Sequence, residues 1–121
     1  MPSIRIGEAG RLLQISRLTA NAEGKTLHMK SGNIFAIKLD ANPSTGYTWV
    51  LKPSSAIDNK IVMVGSSFML PNVDDNRVGT PGIEISMYAV RAPGTYDVSL
   101  EYKRPWEMFV FKKVNFKIIA E

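Results

Sequence analysis

The chain holds one histidine, His28, and no cysteine. A thiol nucleophile, a disulfide and a thiolate metal site are therefore excluded, as is any cluster of imidazole ligands. A serine triad would have to recruit His28, which lies in a strand-like stretch with no local acid to orient it. A half-exposed strand histidine is the simpler reading. Asp74 and Asp75 are adjacent carboxylates that could share a proton or a cation. They stand in Pro71-Asn72-Val73-Asp74-Asp75-Asn76-Arg77, which lacks the spacing of a calcium loop and reads as a solvated turn. Gly79-Thr80-Pro81-Gly82 lacks the lysine and the following helix of a phosphate loop, and Asn42-Pro43-Ser44 has proline where an N-glycosylation site forbids it. No catalytic set emerges, and neither a cofactor nor a metal is expected. The residues point to a protein that acts by binding.

Three segments have the composition of a working surface. Asn42-Pro43-Ser44-Thr45-Gly46-Tyr47 places small polar residues at the apex of a turn. Pro43 fixes its own φ and pushes Asn42 towards an extended conformation, while Gly46 permits a positive φ. Such a tip is narrow and stiff and loses little entropy on binding. Gly79-Thr80-Pro81-Gly82 is rich in glycine, which lets another backbone approach. Arg104-Pro105-Trp106-Glu107 joins two apolar runs, with Trp106 placed for exposure; Trp and Arg are frequent interface anchors. On composition alone the first is as readily an ordinary strand connection, the second a slack connector, and Trp106 can fold back over a core edge.

The elements that must position these loops read as strands. Asn33–Ala41 is a buried run. Tyr47, Trp49 and Leu51 alternate with Thr48, Val50 and Lys52. Ile83, Ile85, Met87 and Ala89 alternate with Glu84, Ser86, Tyr88 and Val90, and Tyr96, Val98, Leu100 and Tyr102 with Asp97, Ser99, Glu101 and Lys103. Phe109, Phe111, Val114, Phe116 and Ile118 fill the last segment, with a slip of phase near Lys112-Lys113 that suggests a bulge. Ile61–Val64 is a further strand, with a bend at Gly65. Proline and glycine punctuate the runs at the rhythm of a β-sandwich. The clearest hairpin is expected at Ile83–Arg91, Ala92-Pro93-Gly94, Thr95–Lys103. Before residue 26 the pattern weakens: Leu12–Leu18 and Thr26–Lys30 can be strands flanking Ala22-Glu23-Gly24. Residues 1–25 are taken as an extension of uncertain structure and 26–121 as the principal domain.

Size and charge agree with one globular domain. The 121 residues suffice for a core without staples, and 45% hydrophobic with 21% charged residues is ordinary. The net charge of +4 is scattered, with only Lys103, Arg104, Lys112, Lys113 and Lys117 loosely grouped, so nucleic acid is not an expected partner. No apolar run approaches a membrane span and no signal peptide opens the chain, so no membrane association is expected. Cytoplasmic, vesicular and secreted locations stay open. In a sandwich, alternate connections emerge at the same end, so the three loops can form one convex edge suited to entering a cleft.

Asn42-Pro43-Ser44-Thr45-Gly46-Tyr47, followed by Trp49, resembles the Asn-Pro-Thr-Thr-Gly-Phe/Tyr motif of the chagasin-like inhibitors of cysteine peptidases. Arg104-Pro105-Trp106 is similar to that family's Arg-Pro-Trp motif and Gly79-Thr80-Pro81-Gly82 to its Gly-x-Gly-Gly motif, in the family's order, over roughly residues 26 to 121. The resemblance implies an all-β, immunoglobulin-like sandwich of about seven to eight strands, monomeric when free, that is no enzyme. It implies reversible, tight inhibition of papain-like peptidases of the cathepsin L and B type by three loops. Thr45 is then expected near the enzyme's nucleophilic cysteine. Trp106 is expected to stack on an enzyme aromatic on the primed side, and the second loop to pair by backbone on the non-primed side. Ser44 stands where the family has Thr. Pro81 replaces a glycine and removes an N–H from that pairing. The stretch from Trp106 to Phe109 is short for the family, and the first 25 residues have no counterpart. The alternative is an adhesion or ligand-binding module that shares only the fold.

Overall fold

A computed structural model describes residues 14–69 and 82–121. Eight strands follow one another: β1 (Ile15–Leu18), β2 (Thr26–Met29), β3 (Ile34–Ala41), β4 (Thr48–Leu51), β5 (Ile61–Met69), β6 (Gly82–Val90), β7 (Gly94–Lys103) and β8 (Val110–Ala120). They form two four-stranded sheets, in the orders β1-β3-β6-β5 and β2-β8-β7-β4. Pairing is antiparallel except for β1 on β3 and β2 on β8, which are parallel. Strands β3, β6 and β5 occupy the places of B, E and D of an immunoglobulin sandwich, and β4, β7 and β8 those of C, F and G. The expected all-β, immunoglobulin-like fold is observed. Residues 15–25 supply β1 and a short 3-10 turn, Ala20–Ala22, that carries the chain from the first sheet to the second.

Period-two patterning builds the core. Phe35, Ile37, Leu39 and Ala41 of β3 face Tyr96, Val98, Leu100 and Tyr102 of β7 and Val114, Phe116, Ile118 and Ala120 of β8, all buried. Phe35 stacks on Tyr88 at 5.3 Å and meets Phe116 edge-on at 5.8 Å, so the two sheets are keyed by aromatic geometry as well as by area.

Strand β6 alternates as expected, but its inward set is the polar one. Glu84, Ser86, Tyr88 and Val90 are buried, while Ile83, Ile85, Met87 and Ala89 are half-buried on the outer face. Glu84 is tolerated inside because Thr48 Oγ1 donates to its carboxylate at 2.9 Å and the Trp49 N–H lies at 3.3–3.4 Å. The sheets are thus tied near the start of β4. Tyr88 Oη is buried with no hydrogen-bond partner among the described residues. Burial, and then the Glu84 carboxylate, push its phenol up to about 12; the Ser86 hydroxyl pulls the other way without reaching hydrogen-bonding geometry.

The expected hairpin of β6 with β7 does not form. The two strands lie in different sheets, and Ala92-Pro93-Gly94 is a crossing between them. Tyr96 Oη donates back to Ala92 O at 2.8 Å, the tie of a tyrosine corner, and the ring fills the space a Cβ on Gly94 would need, 3.0 Å from Oη. Here the glycine makes room for the tyrosine that braces the crossing, and a three-residue hairpin with similar composition looks the same locally. The actual antiparallel neighbours in sequence are β5 with β6 and β7 with β8.

Topology then fixes the poles. Ala41 pairs with Gly82, and Lys103 with Val110, so the connections β3–β4, β5–β6 and β7–β8 all leave the sandwich at one pole. The β4–β5 and β6–β7 connections lie at the other, where Arg91 N donates to Lys60 O at 2.7 Å.

Candidate functional site

The β3–β4 connection is stiffened by its own side chains. Asn42 Oδ1 accepts from Ser44 N at 3.2 Å and Ser44 Oγ at 2.7 Å; Thr45 Oγ1 donates to Asn42 O at 2.7 Å. These bonds close a 3-10 turn over Pro43–Thr45. Its roots are held from the core. Asn42 N donates to Tyr102 Oη at 2.8 Å, and Trp49 Nε1 donates to Asp40 O at 3.0 Å. The buried aromatics therefore satisfy the last backbone groups of β3, which β1 is too short to cover. Gly46 leaves the turn at φ +79, a left-handed conformation that favours glycine. Ser44 and Thr45 are exposed at the apex.

The β7–β8 connection leans on this tip. Arg104 Nε donates to Thr45 O at 2.9 Å, and the guanidinium lies 4.7 Å from the Tyr47 ring centroid. Glu107 N donates to Arg104 O at 2.9 Å and its carboxylate approaches the guanidinium at 3.4 Å, which makes a tight turn around Pro105 and Trp106. Trp106 is 72% exposed, yet its ring edge rests on Gly46: a Cβ there would stand 2.9 Å from Cη2. Asn42, Ser44, Thr45, Gly46, Tyr47, Arg104 and Trp106 are thereby brought together, with Pro43 and Pro105 in the same two turns.

Gly79, Thr80 and Pro81 lie outside the described residues, as do Asp74 and Asp75. Gly82 is the first residue of β6, inside the sheet, where a Cβ would stand 2.5 Å from Met69 O and 2.6 Å from the Phe68 ring. It lets two strands close. The two described ends of this connection, Met69 and Gly82, sit beside Ala41 at the pole of the other two loops.

Sequence reasoning passed over Met108, 93% exposed, and Phe109 and Phe111, each 61% exposed. Phe109 and Phe111 count in the alternation of the last segment, and Met108 falls in no motif. The slip of phase was the available signal. Tyr102 pairs with Lys112 and Lys103 with Val110, so Phe111 is the extra residue of a bulge. Among the described residues no three His, Cys, Asp or Glu side chains converge as for a metal, and no helix is long and apolar enough to cross a membrane.

Among the described residues the tip joins two stiff turns into one exposed edge, the kind of surface through which a protein docks on a partner. The chain belongs to the chagasin family of peptidase inhibitors: the model of the Chagasin family peptidase inhibitor I42 matches residues 28–119. Similar proteins include chagasin of Trypanosoma cruzi, 30% identical over 92 residues covering 74% of this chain and 82% of that protein. Amoebiasin-2 of Entamoeba histolytica is 32% identical over 92 residues, covering 74% and 71%. Among solved structures, the cysteine protease inhibitor EhICP2 of Entamoeba histolytica superposes with a TM-score of 0.72 at 26% identity, covering 88% of this chain and 96% of that one. The family is one of inhibitors and not of enzymes.

Proposed function

We propose that this cysteine peptidase inhibitor acts as a wedge on papain-like peptidases, with the Asn42–Tyr47 tip entering the catalytic cleft and Trp106 anchoring one flank. The observation that supports this reading is the bond from Arg104 Nε to Thr45 O, with Trp106 seated on Gly46. It joins two motifs 59 residues apart into one edge before any partner arrives. The tip resists turnover because its backbone is a closed turn: Asn42 O accepts from Thr45 and Thr45 O from Arg104, so neither carbonyl is offered in an extended, cleavable strand. Stiffness also lowers the ordering cost of binding. In the same reading Gly79, Thr80 and Pro81 contribute the second contact, on the opposite flank, with Gly82 as its root in β6, and the free inhibitor is a monomer. Membership of an inhibitor family favours this over an adhesion module.

Titration of papain with the purified chain tests it. The wild type is expected to abolish activity near one equivalent. Trp106→Ala is expected to weaken inhibition about 30-fold, for a hot-spot loss of about 2 kcal/mol, and Thr45→Arg to weaken it by inserting bulk and charge at the apex. Unchanged inhibition by both variants would refute the wedge.

A further inference from the structure

The bulge at Phe111 has a product that none of the three motifs contains. Where the tip meets the seam between β3 and β8 there is an open pocket of about 400 Å³, bordered by Asp40, Thr45, Tyr47, Tyr102, Phe111 and Lys112. Its floor is a triangle of rings: Tyr47 to Tyr102 is 5.3 Å, Tyr47 to Phe111 5.9 Å and Tyr102 to Phe111 6.4 Å. In an unbroken strand Phe111 would have a cross-strand neighbour on β7. The extra residue turns it towards Tyr47 instead, the kind of re-aiming that bulges accomplish.

We infer that this pocket is a subsite of the inhibitor that receives one large uncharged apolar side chain from the rim of the peptidase cleft, with Phe111 as a specificity-determining residue. The inference rests on the wedge reading, since the pocket is continuous with the tip through Asn42 and Thr45. Its chemistry selects the occupant. Aromatic edges and faces supply apolar contact at the spacing of ring clusters. The Lys112 ammonium lies 5.4 Å from the Tyr102 centroid and 5.9 Å from that of Phe111, so the site already holds its cation and repels another. Asp40, which also borders the pocket, adds a negative charge that disfavours an anion. An aliphatic or aromatic side chain meets neither objection and covers the Phe111 ring, which the free protein leaves largely in water.

Two substitutions outside the motifs test this, with papain as the probe. Phe111→Ser removes one wall, and Lys112→Trp fills the space from an exposed position without deleting a buried contact. Each is expected to raise Ki tenfold or more through faster dissociation, with the melting temperature of Lys112→Trp unchanged. If Lys112→Trp leaves Ki within threefold of wild type, the subsite is refuted while the wedge stands. If Lys112→Met raises Ki as much as Lys112→Trp, the occupant is an anion paired with Lys112 and the apolar assignment is overturned. A wild type that does not inhibit papain removes the wedge reading and the subsite with it.

Discussion

Gly46 and Gly24 make a matched experiment. Both hold a left-handed φ, +79 and +74, so alanine at either strains the backbone by about 1–2 kcal/mol. For a domain of this size that lowers the melting temperature by roughly 4–8 °C. They differ in what a Cβ meets. At Gly24 nothing lies within 4 Å; at Gly46 the new methyl stands 2.9 Å from Trp106 Cη2, 3.4 Å from Cζ2 and 3.8 Å from Arg104 Cγ. The contacted ring edge is the far end of an exposed side chain, so it yields by swinging away. Gly46→Ala should therefore cost no more stability than Gly24→Ala. It should cost inhibition, because Trp106 leaves its seat: about 2 kcal/mol, or 30-fold in Ki. Thermal unfolding and titration of papain, run on both variants, separate the two effects. Equal Ki for Gly46→Ala and wild type, with equal melting temperatures for the two variants, would show that the seat of Trp106 on Gly46 contributes nothing to binding.

Two further outcomes concern the core. Tyr88→Phe removes a buried hydroxyl that has no partner, so stability at pH 7 is expected to stay level or rise by about 1 kcal/mol in urea unfolding. The wild-type phenol is raised from 10.0 to about 12 in the folded protein, so its contribution is complete below pH 10 and is lost as pH climbs through 12. The difference between wild type and Tyr88→Phe should change only in that window, and a difference that varies below pH 9 would contradict the assignment. Trp49→Ala should destabilise by roughly 3–5 kcal/mol, since it leaves a cavity and strips Asp40 O of its donor; a loss below 1 kcal/mol would mean that Trp49 is not core.

The strands were legible because burial on one face writes itself as alternation, and the tips because Pro43 and Pro105 fix φ wherever they stand while Gly46 frees it. What was illegible depends on partners distant in sequence. Ala92-Pro93-Gly94 is spelled like a hairpin, and only the pairing of β6 with β3 and β5 sends β7 to the other sheet. Glu84 faces inward because its donors, Thr48 and Trp49, arrive from 36 and 35 residues away, and no local pattern announces that. The slip near Lys112-Lys113 was visible as a break in period, but its placement at Phe111 needed the register against Tyr102 and Lys103. The contact of Arg104 with Thr45 could be anticipated as a shared pole, never as a particular bond.

The tyrosine corner stands at the pole opposite the tip. Tyr96, Ala92 and Gly94 brace the crossing from one sheet to the other, and they do so at the far end of the sandwich from Thr45 and Trp106. Residues that decide whether the molecule assembles and residues that decide what it grips can therefore drift independently. Substitution at Ser44, Trp106 or Phe111 leaves the bond from Tyr96 to Ala92 and the packing of Tyr96 on Gly94 untouched.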